Sequence, residues 1–219
     1  MTLNLGVITA DDEKSAIKIA KKIANNSAFD GAEFRIDFLL TQNLNKIIDL
    51  INELKSGLGR KKLLVTWRTL EEGGEKSLED IDYFNLIKLI YLNTNADYLD
   101  IELKKAKFYL IRDLLIEHPD KMRLVISFHN FNKPLVKKEI EDLFEAMELF
   151  DADKAVKKIA MVEGASLAQK VLEERSDDIA LIPMGVDGKP VRRHVRQYFN
   201  FINMNKKENL GQWKYDELK

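Results

Sequence analysis

Eight short runs of β-branched and apolar residues recur along the chain, with starts roughly 20 to 36 residues apart. They are Leu3 to Thr9, Gly31 to Asp37, Lys62 to Arg68, Tyr98 to Leu103, Arg123 to His129, Val156 to Val162, Ile179 to Met184 and Tyr198 to Asn203. Each reads as a strand. Between them lie stretches with helical spacing, such as Ala16, Ile19, Ala20 and Ile23, then Leu44, Ile47, Ile48, Ile51 and Leu54. A strand and helix unit repeated about eight times closes into a (β/α)8 barrel, which predicts an α/β TIM barrel, compact for its class, over residues 1–219 as one domain. A doubly wound open sheet is the alternative. Its G-x-G-x-x-G fingerprint is missing after the first strand, where Thr9, Ala10, Asp11 and Asp12 stand. Ser77 and Asp80, ahead of Ile81 and Phe84, have the form of a capping box and predict a helix start there. The seventh unit is short, and little chain remains after Asn203 for a full eighth helix.

Composition narrows the chemistry. Lys plus Arg total 35 and Asp plus Glu 36, so the net charge of −1 supplies no overall field for nucleic acid or an anionic membrane. The absence of cysteine removes disulfides, thiolate metal sites and a thiol nucleophile. No apolar run reaches the roughly 18 residues of a membrane span, and Met1 to Asn4 carry no basic segment ahead of a hydrophobic one. A soluble, cytoplasmic protein without nucleic-acid or membrane partners is expected. No metal site is expected either, because the three histidines are far apart and the carboxylates are interleaved with arginines.

Strand parity then places the polar residues. Glu33, Arg35 and Asp37 share a face opposite Ala32, Phe34 and Ile36; Thr66 and Arg68 oppose Leu63, Val65 and Trp67. Asp100 and Glu102, Ser127 and His129, and Lys158 with Ala160 repeat the pattern in the next three strands. The outer face of a barrel strand is covered by helices, so the polar set must point inward or to the mouth. A structural ion-pair network would explain one such strand. For five neighbouring strands, burying so many ionisable groups costs several kcal/mol each unless pairing or function compensates.

A lysine inside a barrel, walled by apolar residues and near arginines, should lose its proton easily, making Lys158 a nucleophile toward a carbonyl. An ordinary ion-paired lysine is the alternative. Lys157 has the opposite parity and should point away. His129 closes the neighbouring strand in an acid–base position, whereas His118 beside Pro119 and His194 in a basic run read as solvated. Glu72, in the Glu71-Glu72-Gly73-Gly74 loop, could orient His129, or belong to a solvated acidic turn. Gly185, Gly188 and the basic residues to Arg193 suit an anionic substrate group, or form a solvated helix start.

The segments Glu33-Phe34-Arg35-Ile36-Asp37, Thr66-Trp67-Arg68-Thr69 with Glu72-Gly73-Gly74, Asp100-Ile101-Glu102-Leu103, Ser127 to Phe131, Lys158-Ile159-Ala160, and Met184-Gly185 with Gly188 and Arg192 follow one another along nearly the whole chain. This ordered set resembles type I 3-dehydroquinate dehydratase. The resemblance implies a usually dimeric barrel that dehydrates 3-dehydroquinate to 3-dehydroshikimate in the shikimate pathway, without metal or organic cofactor. It implies an imine-forming role for Lys158, proton transfer for His129 and support of that histidine by Glu72. Glu33, Arg35 and Arg68 would hold the substrate hydroxyls and the surrounding charge, Arg192 the substrate carboxylate, and Gln212 a closing loop. Two departures stand out: Val191 replaces the usual serine before Arg192, and Glu208-Asn209-Leu210-Gly211-Gln212 replaces Ser-Ala-Pro-Gly-Gln. A class I aldolase acting on a sugar phosphate and a catalytically silent barrel binding a small acid are the competing readings.

Overall fold

The computed structural model describes residues 2–105, 108–119, 121–150, 155–175, 178–204 and 213–214. The elements run β1 (Leu3–Ile8), α1 (Glu13–Ala24), β2 (Gly31–Arg35), α2 (Leu44–Leu58), β3 (Lys62–Thr66), α3 (Asp80–Asn93), β4 (Tyr98–Glu102), α4 (Phe108–Glu117), β5 (Arg123–Asn130), α5 (Lys137–Glu148), β6 (Val156–Val162), α6 (Ala165–Glu174), β7 (Ile179–Met184), α7 (Lys189–His194), β8 (Phe199–Asn203) and β9 (Trp213–Lys214). Strands β1 to β7 pair in sequence order, all parallel, and β8 pairs with β1. At the seam, the Tyr198 backbone N–H donates to the Ile179 carbonyl at 2.6 Å. The two-residue β9 lies along the edge of β8 away from β1. Eight parallel strands thus form a nearly closed (β/α)8 barrel, the architecture predicted from the strand rhythm. Among the described residues no helix follows β8, and none is long and apolar enough to cross a membrane.

Helices α1 and α2 begin where a side chain satisfies a first-turn N–H group. Asp12 accepts from the Ser15 backbone at 2.8 Å ahead of α1, and Asn43 accepts from Lys46 at 3.2 Å ahead of α2. The predicted capping box at Ser77 does not form. Helix α3 starts at Asp80 behind Glu79, with no side-chain cap, because the Asp80 carboxylate is engaged by Lys105 Nζ at 3.1 Å. Two strands stop two residues short of the predicted runs. β2 stops at Arg35 and a 3-10 turn takes Ile36–Phe38, while β3 stops at Thr66.

Alternation along the strands separates two cores. Outward residues such as Phe34, Val65, Ile101, Ile126 and Ile159 pack with Ile23, Ile51, Ile87 and Phe144 from the helices. Inward residues Leu5, Leu64, Tyr98, Val125, Val156 and Phe199 fill the amino-terminal end of the barrel. There the Tyr98 ring meets Phe199 edge-on, its hydroxyl lies 2.9 Å from that of Tyr198, and Arg123 donates to the Tyr198 hydroxyl at 2.5 Å. This closes the floor, so the polar inward residues one and two steps further along each strand lie above it, toward the mouth.

Gly31 opens β2 where no side chain fits: a Cβ would lie 2.3 Å from the Lys62 carbonyl oxygen of β3. Gly31→Ala should therefore lower stability by about 1–3 kcal/mol, the usual range for overpacking. Urea denaturation should show a lower midpoint with an unchanged slope.

Candidate active site

The carboxyl ends of the strands surround a cavity of about 270 Å3. Glu33 and Arg35 reach it from β2, Arg68 and Glu72 from the segment after β3, His129 from β5, Lys158 from β6 and Arg192 from α7. Seven of the eight residues singled out in the sequence therefore line one space. The eighth, Gln212, lies outside the described residues, as does its segment from Glu208 to Gly211. His118 and His194 are exposed and are not among the residues lining the cavity. Among the described residues no group of three or more histidine or acidic side chains is placed to hold a metal ion.

Arg68 is the hub of the site. Its guanidinium reaches Asp100 at 2.8 Å, Glu102 at 3.0 Å, Glu72 at 3.4 Å and the Ser127 hydroxyl at 2.9 Å. Burial alone would lower its pKa, but Asp100, Glu102 and Glu72 reverse that and raise it. Glu102 also accepts from the Thr69 backbone and hydroxyl, which fixes the chain just before the turn Leu70–Glu72. Gly73, at φ 81°, ends that turn in the left-handed region, which glycine enters without strain. Gly74 passes so close to the Arg68 carbonyl that a Cβ would sit 1.9 Å from it. This loop is thus pinned rather than free, and Glu72 is buried, not solvated.

Glu72 faces His129. One carboxylate oxygen lies 3.0 Å from His129 Nδ1 and accepts the His129 backbone N–H at 3.1 Å. Burial raises the Glu72 carboxyl to about 7; Arg68 opposes the rise, Glu102 adds to it. Burial, reinforced by Arg68, Lys158, Arg35 and Lys104, pushes His129 well below its ordinary 6.5. The lowered His129 is a neutral imidazole, and when Glu72 is ionised its oxygen can only accept, so that Nδ1 carries the ring proton and Nε2 does not.

Lys158 differs from its sequence-based expectation. Apolar residues and arginines were to surround it, but Nζ lies 3.1 Å from Asp100 and 3.4 Å from Glu33, with the Phe201 ring 4.5 Å away. The reason is the same parity that turns Lys158 inward: it turns Asp100 and Glu33 inward at the same level. Burial still raises the Asp100 carboxyl in isolation, but Arg68 and Lys158 outweigh this and hold it below the ordinary range. Lys157 points the other way, to Glu148 of α5 at 2.8 Å. Arg35 is held by a two-pronged pair to Asp37, at 2.8 and 2.7 Å, from the 3-10 turn that replaced the end of the predicted strand.

Arg192 contrasts with these. It is buried, its Nε has no hydrogen-bond partner, and its Nη2 makes a 3.5 Å approach to the Gly185 carbonyl. Burial lowers it to about 10, and no carboxylate among the described residues compensates. Asp100 and Ser127 had the right parity but were not singled out as site residues. Ile182 and Phe201, which complete the wall, share the inward parity of their strands and were missed because they are apolar.

A small polar cavity at the carboxyl ends of a parallel barrel, lined by a lysine and a histidine facing a carboxylate, places the chain in the class of (β/α)8 barrels with a pocket at the strand ends. Comparison with known proteins fixes the family. The family model for type I 3-dehydroquinase matches residues 7–218, and the chain belongs to that family. It is 33% identical over 150 residues to a 3-dehydroquinate dehydratase of Clostridium novyi, a match that covers 68% of this chain and 58% of that relative's length. It is 30% identical over 183 residues to one of Staphylococcus saprophyticus, covering 83% and 76%. Among solved structures, a type I enzyme of Clostridium difficile superposes with a TM-score of 0.84 at 27% identity, covering 99% of this chain and 89% of that one. A 3-dehydroquinate dehydratase of Geobacillus kaustophilus shares the fold with a TM-score of 0.87 at 20% identity, covering 100% and 88%.

Removing the hub should leave several carboxylates buried without their cation. Arg68→Met is expected to lose about 3–5 kcal/mol in urea unfolding. Glu72 should also mark the pH dependence of stability. Because its carboxyl rises from 4.5 to about 7 on folding, the folded chain keeps a proton there that the unfolded chain has released. That contribution is complete below pH 4.5 and is lost as pH rises through 7. Unfolding free energies measured across this window should fall less steeply in Glu72→Gln than in the parent.

Proposed function

We propose that this chain dehydrates 3-dehydroquinate to 3-dehydroshikimate through an imine on Lys158, with His129 as acid and base. The observation that carries the reading is that Lys158, the His129 and Glu72 pair and the unpaired Arg192 face one cavity of about 270 Å3. The substrate presents a ketone, an acidifiable proton beside it, a β-hydroxyl and a carboxylate. Each has a chemical counterpart among those residues. The names of the 3-dehydroquinate dehydratases it resembles support the same reading, as does the covalently modified comenic acid in the Clostridium difficile structure.

Lys158 passes its extra proton to the neighbouring carboxylates or imidazole, and the amine attacks the ketone carbon. The carbinolamine oxygen takes a proton from His129 and leaves as water, giving a protonated imine. That imine is an electron sink, so His129 can remove the adjacent carbon-bound proton, which is far too weakly acidic beside a simple ketone. The resulting enamine expels the β-hydroxyl, which receives a proton from His129 and departs as water. Hydrolysis of the conjugated imine releases product and restores the amine. Glu72 keeps Nδ1 protonated so that Nε2 performs each transfer. Arg192 gains a carboxylate partner only when substrate is bound, and Glu33 and Arg35 are positioned to take hydroxyls. Product release in the cytoplasm into the shikimate pathway, by a homodimer, completes the proposal.

The test is the ultraviolet absorbance of the conjugated enone when 3-dehydroquinate is added. We expect Lys158→Ala to abolish it and His129→Ala to slow it about 10²–10⁴-fold. Borohydride added with substrate should place a substrate-sized mass on the peptide at Lys158. No absorbance from the parent chain, or labelling at Lys157, would overturn the proposal.

A further inference from the structure

Glu72 uses its two oxygens unequally. One is occupied by His129 and Arg68, at 3.0 and 3.4 Å, whereas the other is buried and has no hydrogen-bond partner. The nearest cation to that second oxygen is Lys104, which does not line the cavity and whose Nζ lies 4.0 Å off. Lys104 follows β4 and has a half-exposed side chain. Its ammonium is held 4.9 Å above the Phe128 ring. Phe128 and His129 are neighbours on β5 with opposite parity, so one residue turns the imidazole inward while the other offers its face to a cation outside. This brings a charge to the back of the Glu72 and His129 pair without placing it in the substrate's space.

We propose that Lys104 is a positioning residue that acts through Glu72: from outside the barrel wall, its ammonium faces the free carboxylate oxygen and favours the ionised form that orients His129. The inference rests on the functional reading above for its catalytic meaning, but not for the contact itself. The other charged groups around Glu72 are Arg68 from the same loop, Asp100 and Glu102 from β4, and His129 from β5. Those bearing on His129, besides Lys104 itself, are Glu72, Arg68, Lys158 and Arg35. Two of the three cations among these, Arg68 and Lys158, are each shared with buried carboxylates, and Arg35 is committed to Asp37. The neighbouring Lys105 is taken by Asp80 and Glu71. Lys104 therefore supplies a cation at the one oxygen the interior network leaves unengaged. Because it is partly in solvent, its influence should be moderate and should weaken with salt.

Glu72 can be followed in the free chain by its carboxyl carbon resonance, assigned by its loss in Glu72→Gln. His129 is followed in the same way by its ring nitrogens. In Lys104→Met the Glu72 midpoint should rise by about 0.5–1 pH unit at low salt, and Lys104→Glu should move it further in the same direction. Lys104→Arg should stay near the parent, and added salt should shrink the difference between parent and Lys104→Met. With 3-dehydroquinate, the acid limb of kcat/KM should move upward in step. An unmoved midpoint in both Lys104→Met and Lys104→Glu, or an equal movement in Lys104→Arg, would overturn the proposal. A parent chain that does not turn over 3-dehydroquinate would instead overturn the functional reading, and the resonance titration would still decide the role of Lys104.

Discussion

The guanidinium of Arg68 ties together parts of the chain that would otherwise repel one another. Asp100 and Glu102 on β4 are both fully buried, and Glu72 comes within 3.4 Å from the next loop. Three carboxylates in such a space could not all stay ionised without a cation at their centre. Arg68 suits that place better than a lysine, because its planar fork donates in several fixed directions at once. The consequences run outward from it. Glu102, held by Arg68, holds Thr69, and Thr69 begins the turn that presents Glu72 to His129. Asp100, held by Arg68 and by the Ser127 hydroxyl at 2.6 Å, turns its remaining oxygen to Lys158. The base and the amine are therefore positioned by two arms of one network.

This arrangement leaves the charges of the cavity balanced except at one point. Lys158 has Asp100 and Glu33, Arg35 has Asp37, and Arg68 has its three carboxylates. Arg192 alone among these cations is buried without an anion. A guanidinium desolvated and unpaired is unfavourable in the empty site, and an anion beside it would offset that cost, which is the physical basis of the carboxylate-binding role proposed for it. The lysine works in the opposite sense. Asp100 and Glu33 lie 3.1 and 3.4 Å from its Nζ, so this cation, unlike Arg192, already has its anions in the empty site.

Most of the fold was legible because two periodicities agree along the chain. Strand rhythm marked all eight barrel strands, and parity turned Glu33, Lys158 and His129 to one interior. What was not legible depended on contacts between residues far apart in sequence. The capping box at Ser77 failed because Lys105, on another loop, competes for Asp80. The end of β2 bends into a 3-10 turn that lets Asp37 clasp Arg35, a pairing that strict alternation would have described as two side chains on one face. Lys158 was expected among arginines, yet the level of Asp100 relative to Lys158 is fixed by strand register, with Asp100 opposite Val125 and Ser127 opposite Lys158. A period of two says which face a residue shares and nothing about its height in the barrel.

Height is what divides structure from chemistry here. The lowest inward layer is apolar and aromatic, sealed by Tyr98, Tyr198 and Phe199, with Arg123 donating from below. One step up, the inward positions become Glu33, Thr66, Asp100, Ser127 and Lys158, and one step further Arg35, Glu102 and His129. The apolar floor and the burial of this charged layer put its hydrogen bonds in a low-dielectric setting, where pairing is strong and an unpaired group is costly. Apolar packing at one end of each strand is thus a condition for the acid–base chemistry proposed at the other. The shifts at Glu72 and His129 both have burial as their largest cause. A barrel open at its floor would return both groups toward their ordinary values, and with them the neutral imidazole that the proposed proton transfers require.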